Sequence, residues 1–125
     1  MIIDREELAW AAGFFDGEGS VGLYKHNKAR YKYLRLSVGQ TDKEVISRFN
    51  RSIDNLGTIN KRKHIPNRKP FWVVSVSGFE NTQAIITMLW SWLSRPKRRQ
   101  ATKALGETLA YLKTVRPHVR RRHHA

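Results

Sequence analysis

Two carboxylates lie close together in the chain and are its best candidates for chemistry. Asp16 and Glu18 alternate with Gly17 and Gly19 directly after an apolar segment of helical spacing. Carboxylate oxygens are the ligands that Mg²⁺ prefers, and this ion usually takes only one or two of them from a protein, with water and phosphate completing its shell. The alternative is a surface acid without a special task, the usual fate of a glutamate. The segment therefore indicates a candidate site for a hard divalent cation.

Other metal-binding residue types form no comparable group. The chain has no cysteine, which excludes a disulfide framework and a thiolate metal site. His26 and His64 fall in predicted strands or loops, the other three histidines fall near the C-terminus, and no pair has a spacing typical of zinc. The lack of cysteine fits a reducing compartment, and the N-terminus has no basic start followed by an apolar run. We therefore expect an intracellular rather than secreted protein, in the cytoplasm or an organellar matrix.

The balance of charge indicates a polyanionic partner. The 125 residues include 24 lysines and arginines against 10 acidic residues, which gives a formal net charge of +14 and a pI near 10.8. Each basic side chain that neutralises a phosphate releases a condensed counterion, so nucleic acid is favoured over an acidic protein. No segment approaches the roughly 20 apolar residues that span a bilayer. We expect neither a membrane nor a small-molecule cofactor among the partners.

Hydrophobic periodicity predicts helices alternating with pairs of strands. The helices are predicted at about 5–16, 42–56, 81–93 and 96–115, and the strands at 20–26, 31–40, 58–64 and 71–77. Gly17 and Gly19 are expected to end the first helix, Gly57 to end the second, and Pro96 to break the third segment.

This order predicts an α+β fold of the pattern αββαββα. Four antiparallel strands would form one sheet, with the helices packed on one face and the other face open. We expect residues 1–116 to form a single domain and residues 117–125 to form a basic tail that is solvated until it meets a partner.

The open face of this sheet is predicted to be basic and aromatic. Strand alternation places there Tyr24, His26, Tyr31, Tyr33, Arg35, Asn60, Arg62, His64 and Ser75. These side chains suit phosphates and base edges. They also suit solvated strand positions, because open antiparallel sheets often have a polar outer face.

The first helix has two distinct faces. Leu8, Ala11, Phe14 and Phe15 would pack into the core, whereas smaller residues form a separate stripe. The stripe consists of Ala9, Ala12, Gly13 and Asp16. Small residues on one stripe allow a second helix to approach closely, and tight packing of the helix on its own sheet is the alternative.

The segment AAGFFDGEG, at Ala11–Gly19, resembles the LAGLIDADG motif. Both contain a small residue, a glycine, paired apolar residues and an acid-glycine-acid-glycine ending. Ala11 stands where leucine is usual, and Glu18 stands where aspartate is commoner but keeps a carboxylate. Single-chain members of the family carry two motifs, so the one motif here implies a homodimer with paired motif helices about a twofold axis.

The resemblance also implies roles for individual residues. Glu18 and the backbone carbonyl of Gly17 would hold Mg²⁺ or Mn²⁺. Gln40 resembles the polar residue that orients water, and Lys97 resembles the lysine of the catalytic pocket. Asp16 would brace the helix end and the dimer contact rather than bind metal.

A run of basic residues surrounds Lys97. Arg98 and Arg99 are candidates for DNA contact, since a charge run at the start of a helix is typical of either a phosphate-contacting or a solvated face. The same ambiguity applies to the catalytic role of Lys97.

The function that the resemblance implies is that of an intron-encoded homing endonuclease. A dimer would lay a saddle of two sheets on double-stranded DNA and hydrolyse phosphodiester bonds, with a divalent metal, at a long and roughly palindromic target. A non-cleaving DNA-binding regulator and an RNA-splicing maturase are alternatives with the same fold. Composition alone would also permit a structural nucleic-acid-binding protein, such as a ribosomal one.

Overall fold

Helices and paired strands alternate along the chain. The computed structural model describes residues 3–28, 30–63 and 65–115. Its elements are α1 (Arg5–Glu18), β1 (Gly19–Lys25), β2 (Lys32–Gln40), α2 (Lys43–Ser52), β3 (Thr58–Lys61), β4 (Trp72–Ser77), α3 (Phe79–Leu89), a 3₁₀ turn (Trp90–Trp92) and α4 (Arg95–Thr114). The predicted site residue His64 and the predicted tail at 117–125 lie outside the described residues.

The four strands form one antiparallel sheet in the order β1-β2-β4-β3. Gly19 at the start of β1 lies opposite Val38, and Val38 in turn lies opposite Val74 of β4. The predicted α+β fold with a four-stranded antiparallel sheet is therefore confirmed. No helix among the described residues is long and apolar enough to cross a membrane.

A single hydrophobic core joins the helices to one face of the sheet. Leu36 and Val76 of the central strands are buried in it together with Phe15 of α1, Phe49 of α2 and Ile85 of α3. Full burial of one such side chain contributes about 1.5–3 kcal/mol. Because strand side chains alternate, the residues between these core positions face away from the helices.

Two predicted helix ends differ from the structure. α1 continues through Gly17 to Glu18, and Gly19 is its C-terminal cap. α2 ends at Ser52, five residues before Gly57. The chain turns instead at Asp54 and Asn55, which have positive φ angles of 61° and 56°.

Gly57 does not end α2 but lies in close contact with Val74 and Asn50. A Cβ atom there would lie 2.5 Å from Cγ2 of Val74 and 2.9 Å from Oδ1 of Asn50. The Asn50 side chain bonds both backbone groups of Gly57, accepting from its N–H at 2.9 Å and donating to its carbonyl at 3.1 Å. The glycine thus permits a close approach to β4.

The third predicted helix is divided in the structure. α3 ends at Leu89 and the 3₁₀ turn follows it. Pro96 lies in the first turn of α4, where a missing N–H costs no helical hydrogen bond, and Ser94 caps this helix by accepting from the N–H of Lys97. β3 is also shorter than predicted, so Arg62 follows the strand rather than lying in it.

Candidate active site and nucleic-acid interface

The candidate catalytic acid lies at the junction of helix and sheet. Glu18 is the last residue of α1, and Gly19 begins β1. Its side chain is exposed, and no hydrogen-bond or ion-pair partner for it is found among residues 3–28, 30–63 and 65–115. The carboxylate is therefore available to an external ligand.

Asp16, two residues earlier, is held by hydrogen bonds. It accepts from the backbone N–H and from the hydroxyl of Ser94, both at 2.9 Å, and it is half-buried. Since Ser94 is the N-cap of α4, this carboxylate ties the end of α1 to the start of α4. The bond lies within the subunit, which agrees with a bracing role for Asp16.

Lys97 reaches the same junction from α4. Its ammonium Nζ donates to the carbonyl of Gly19 at 2.6 Å and lies 5.3 Å from the centroid of the Phe15 ring. A second, longer contact joins Nζ to Oε1 of Gln100 at 3.4 Å. A positive charge is thus fixed one residue from Glu18, on a backbone group of the junction itself.

Gln40 approaches this region from β2. β1 starts at Gly19 and β2 ends at Gln40, and the antiparallel register of Gly19 with Val38 brings these two points to one end of the sheet. The Gln40 side chain accepts from the N–H and the hydroxyl of Thr41 at 2.7 and 3.1 Å. Three separate elements therefore bring the three predicted catalytic residues to one end of the sheet.

The oxygen donors at this junction fit a hard divalent cation. Gly17 is one of the last four residues of α1, so its carbonyl accepts no hydrogen bond from within the helix. A Cβ atom added to Gly17 would meet nothing within 4 Å, so this backbone is open to a ligand. Over the described residues there is no group of three histidine, cysteine or acidic side chains. One subunit thus offers one carboxylate and open backbone, which suits Mg²⁺ more than a closed zinc cage.

The sheet face away from the core carries the predicted aromatic and basic residues. Tyr24 pairs with Tyr33 across β1 and β2, and their rings are 6.2 Å apart. The His26 ring lies 5.4 Å from Tyr31 and 6.3 Å from Tyr33, just beyond the strand ends. Arg35 follows on the same face, so cationic and aromatic groups form one continuous surface.

The rest of this face belongs to the two other strands. Ser75 lies between its partners on β2 and β3, and Asn60 is exposed opposite Val73. The Arg62 guanidinium lies 4.5 Å from the centroid of the Phe71 ring, and the Arg62 N–H donates to the Phe71 carbonyl at 2.7 Å. The face thus remains polar across the full width of the sheet.

Arg98 and Arg99 are not part of this face. Arg98 donates from Nε to the carbonyl of Trp90 at 3.0 Å, with its guanidinium 5.1 Å from the centroid of that ring. Arg98 and Arg99 both line a groove on the helical layer, next to Trp90. Successive helical residues point about 100° apart, so Lys97 and Arg98 face different surroundings although they are neighbours.

The small-residue stripe of α1 needs one correction. Ala12 is fully buried in the core of its own subunit, so it cannot contribute a surface to dimer contact. Gly13 is exposed, and a Cβ on it would meet nothing within 4 Å. The surface stripe consists of Ala9, Gly13 and Gly17, and their spacing of four residues is a signal that could have identified Gly17 as its third member.

Sequence reasoning also missed a contact at the other end of α1. Glu7 accepts from Nε and Nη2 of Arg48, both at 2.9 Å, and the Arg48 guanidinium lies 3.9 Å from the centroid of the Trp10 ring. The hydrogen bond to Arg48 lowers the pKa of Glu7, and the same bond raises the pKa of Arg48. Ser94 was missed as well, although a serine shortly before proline is a typical helix start.

Comparison with known proteins identifies the family. The sequence model of the LAGLIDADG-like domain matches residues 5–88, which is more than half of the chain. The chain therefore belongs to the LAGLIDADG family, and the resemblance found in its sequence is confirmed. No curated protein matches the sequence.

Solved structures of homing endonucleases share the fold. The homing endonuclease I-CvuI, in complex with its target, has a TM-score of 0.65 at 23% identity, over 82% of this chain and 65% of that one. The LAGLIDADG homing endonuclease I-GzeII, in complex with a DNA target, has a TM-score of 0.63 at 17% identity, over 93% of this chain and 40% of that one. This chain thus spans about 65% of the length of I-CvuI.

Proposed function

We propose that this chain is one subunit of a homodimeric, Mg²⁺-dependent endonuclease that cuts double-stranded DNA at a long, roughly palindromic site. The observation that carries the proposal is the exposed carboxylate of Glu18 at the end of the motif helix, one residue from the backbone group that binds the Lys97 ammonium and without a partner among the residues that the structure describes. Members of the same family with this fold, I-CvuI and I-GzeII, are bound to DNA targets.

DNA binding is assigned to the open face of the sheet. The face combines Arg35, Asn60 and Arg62 with an aromatic cluster, in a chain with a formal net charge of +14. Basic groups would position the phosphates, and amide, hydroxyl and guanidinium groups would read base edges in the major groove.

Pairing of two subunits completes the catalytic centre. The surface stripe of half-buried Ala9 and exposed Gly13 and Gly17 allows close approach of a second α1, and a twofold axis along this stripe would bring two Glu18 carboxylates towards each other. Each subunit then supplies one acid next to the scissile phosphates.

Within this centre each residue has a separate task. Glu18 and the Gly17 carbonyl would hold Mg²⁺, or Mn²⁺, and the bound ion would supply Lewis acidity towards the phosphate. Lys97, fixed by the Gly19 carbonyl, would place a positive charge where negative charge develops in the transition state. Gln40 would orient the attacking water at the same end of the sheet.

Glu18→Gln tests the catalytic assignment. Cleaved sites are first selected from a randomised DNA library with the unaltered protein and Mg²⁺, which also gives the length and symmetry of the target. On such a site we expect Glu18→Gln to bind normally but to cut at least about a hundredfold more slowly, because the variant would lose the ion that stabilises the developing charge. Cleavage rates on a labelled duplex measure this.

Glu80→Gln is the matched control, because Glu80 is an exposed acid at the start of α3. It removes the same charge from the other end of the sheet and should cut normally. Undiminished cleavage by Glu18→Gln would exclude Glu18 as the metal ligand. Specific binding without cleavage by the unaltered protein would favour the non-cleaving regulator, and binding of RNA in preference to duplex DNA would favour the maturase.

Arg35→Ala tests the DNA-binding face. Arg35 lies near the middle of this face, opposite Gly22 on one side and Ser77 on the other. Removal of a base or phosphate contact should weaken binding to the selected duplex about tenfold, and a phosphate contact would also reduce the salt slope by about 1. The control Arg51→Ala removes an exposed cation of α2 on the helical layer and should change neither quantity. Equal losses in both variants would contradict the assignment of the sheet as the binding face.

A further inference from the structure

A groove on the helical layer, at the start of α4, is not used by the proposed cleavage reaction. It is lined by Trp90, Arg95, Arg98, Arg99, Thr102 and Lys103 and has a volume of about 410 Å³. We infer that this Trp90 groove binds a single-stranded segment of nucleic acid, separately from the duplex on the sheet. The inference goes beyond the proposed function, since it requires neither cleavage nor metal.

The aromatic ring in this groove is fixed and accessible. Trp90 is 37% exposed, which is unusual for so large an apolar side chain. Arg98 holds it from two directions, through the bond to its backbone carbonyl at 3.0 Å and through the contact with its ring at 5.1 Å. A tryptophan presented in this way is a platform on which an unpaired base can stack.

The charges around the ring are those that a phosphate backbone requires. Arg95, Arg99 and Lys103 line the groove, and the single acidic residue of α4 is Glu107. Glu107 contacts Lys103 at 3.8 Å, with both side chains largely in solvent, so this pair is weak. The groove therefore keeps a surplus of positive charge next to an aromatic platform.

A second groove on the other side of Trp90 provides polar groups. Its volume is about 430 Å³, and it shares Trp90 and Thr102 with the first. Gln83, Thr87 and Ser91 contribute an amide and two hydroxyls to its lining. Phosphates on the cationic side and a base edge on the amide side would match the two halves of a nucleotide.

The composition of the groove distinguishes its occupant from other polyanions. A duplex keeps its bases stacked inside and offers none to Trp90, so an intact duplex gains only the charge contacts. An acidic amphipathic helix of another protein would instead seek an apolar stripe. The exposed leucines of α4, Leu109 and Leu112, lie beyond the groove rather than within it.

The test uses labelled oligo-dT and oligo-U of about twelve nucleotides, within the site size of known single-strand binders. Fluorescence anisotropy is measured on the full chain, saturated with an unlabelled duplex that occupies the sheet. We expect the oligonucleotide to bind this complex. Trp90→Ala should weaken binding about tenfold, whereas Trp90→Phe, which keeps an aromatic face, should retain most of it. Oligo-dT and oligo-U distinguish a DNA source from an RNA source of the strand.

Control variants separate the groove from the general positive charge. Lys103→Ala should lower the salt slope by about 0.7, the value for one phosphate contact on a single strand. Leu112→Ala on the same helix, and Arg51→Ala on α2, should leave oligonucleotide binding to the duplex-saturated protein unchanged. Glu18→Gln should also bind the oligonucleotide normally, which makes the result independent of cleavage.

Three outcomes would overturn the inference. If Trp90→Ala binds the oligonucleotide as tightly as the unaltered protein does, Trp90 is not a stacking platform. Complete displacement of the oligonucleotide by duplex would show that both use the sheet. Binding of an acidic, leucine-rich helical peptide in the groove, without oligonucleotide binding there, would assign the groove to a protein partner. Circular dichroism and duplex binding confirm that the Trp90 variants are folded.

Discussion

At the N-terminal end of α1, Glu7 accepts two hydrogen bonds from the guanidinium of Arg48 on α2; at the C-terminal end, Asp16 accepts two from Ser94 on α4. Glu7 also accepts a longer bond, at 3.4 Å, from the hydroxyl of Ser52 on α2, but the main difference lies in the donors. Arg48 and Glu7 keep 41% and 37% of their side-chain surface exposed, so solvent screens their pairing. Ser94 donates partly from its backbone, which cannot rotate away.

Glu18 completes the comparison because it has no such partner among the described residues. The two bonded acids hold the helix to its neighbours, one loosely and one firmly. The unbonded acid lies directly after the firm attachment. The position of the Glu18 carboxylate thus depends on the bonds of Asp16, and the proposed metal ion would have no hydrogen bond of Glu18 to displace among the described residues.

Among the predicted effects of substitutions in α1, we expect the largest in the middle of the helix, between its two attached ends. We expect Gly13→Leu to weaken dimerisation by about 3 kcal/mol, roughly a hundredfold in the dissociation constant, because the larger side chain separates the paired helices. Within the subunit the change is harmless, since a Cβ at Gly13 meets nothing within 4 Å. Sedimentation velocity over a dilution series measures the constant.

Gly106→Leu is the control for Gly13→Leu. Gly106 is also helical, with nothing within 4 Å of an added Cβ, but it lies on α4. This variant should dimerise normally. A Gly13→Leu protein that remains a dimer at low concentration would place the interface elsewhere.

The firm attachment should show the next largest effect. Asp16→Ala should lower the free energy of unfolding by about 2 kcal/mol, because it leaves a charged hydrogen-bonding pair unmade. Glu18→Gln, two residues away, should change it by less than about 0.5 kcal/mol. Urea denaturation at one fixed protein concentration measures both, since the proposed dimerisation would contribute to the stability. Equal losses in the two variants would abolish the distinction between a positioning acid and a free one.

The loose attachment should show the smallest effect, and one that depends on pH. The hydrogen bond from Arg48 lowers the pKa of Glu7, so the bond stabilises the fold above the ordinary pKa of a glutamate and is lost as pH falls through the lowered value. The melting temperature of Glu7→Gln should therefore lie slightly below that of the unaltered protein at neutral pH, with the difference vanishing in acid and in high salt. A difference that grows in acid would contradict this sign.

Much of the fold follows from local signals in the sequence. Asp4 and Asp42 directly precede the apolar periodicities of α1 and α2, where aspartate is a typical N-cap, and their side chains accept from the N–H groups of Glu6 and Glu44 at 2.9 Å. Strand alternation in β2 correctly separated Leu34, Leu36 and Val38 from the outer face. Such features depend on residues within a few positions of one another, so they can be predicted from a single sequence.

The features that the sequence did not predict depend on distant residues. Ala12 looks like a surface position beside Gly13, but it is fully buried in the core of the subunit. Arg48 and Glu7 are 41 positions apart in the sequence. Arg98 donates to the carbonyl of Trp90, which lies in the 3₁₀ turn that divides the third predicted helix. The catalytic roles of Glu18, Gln40 and Lys97 remain predictions. Their location at one end of the sheet is necessary for a shared active site but does not demonstrate catalysis.

The contacts of α4 with the first strand have a consequence for the behaviour of the protein at high concentration. β1 is an edge strand, and Gln100 accepts from the N–H of Val21 at 3.4 Å, while Tyr111 accepts from the N–H of Lys32 at the start of β2 at 3.0 Å. The opposite edge, β3, is only four residues long and ends in a lysine. An uncovered strand edge recruits other chains into fibrils, and short, charged edges oppose this. The helix that brings Lys97 to the junction of α1 and β1 therefore also protects the sheet from aggregation.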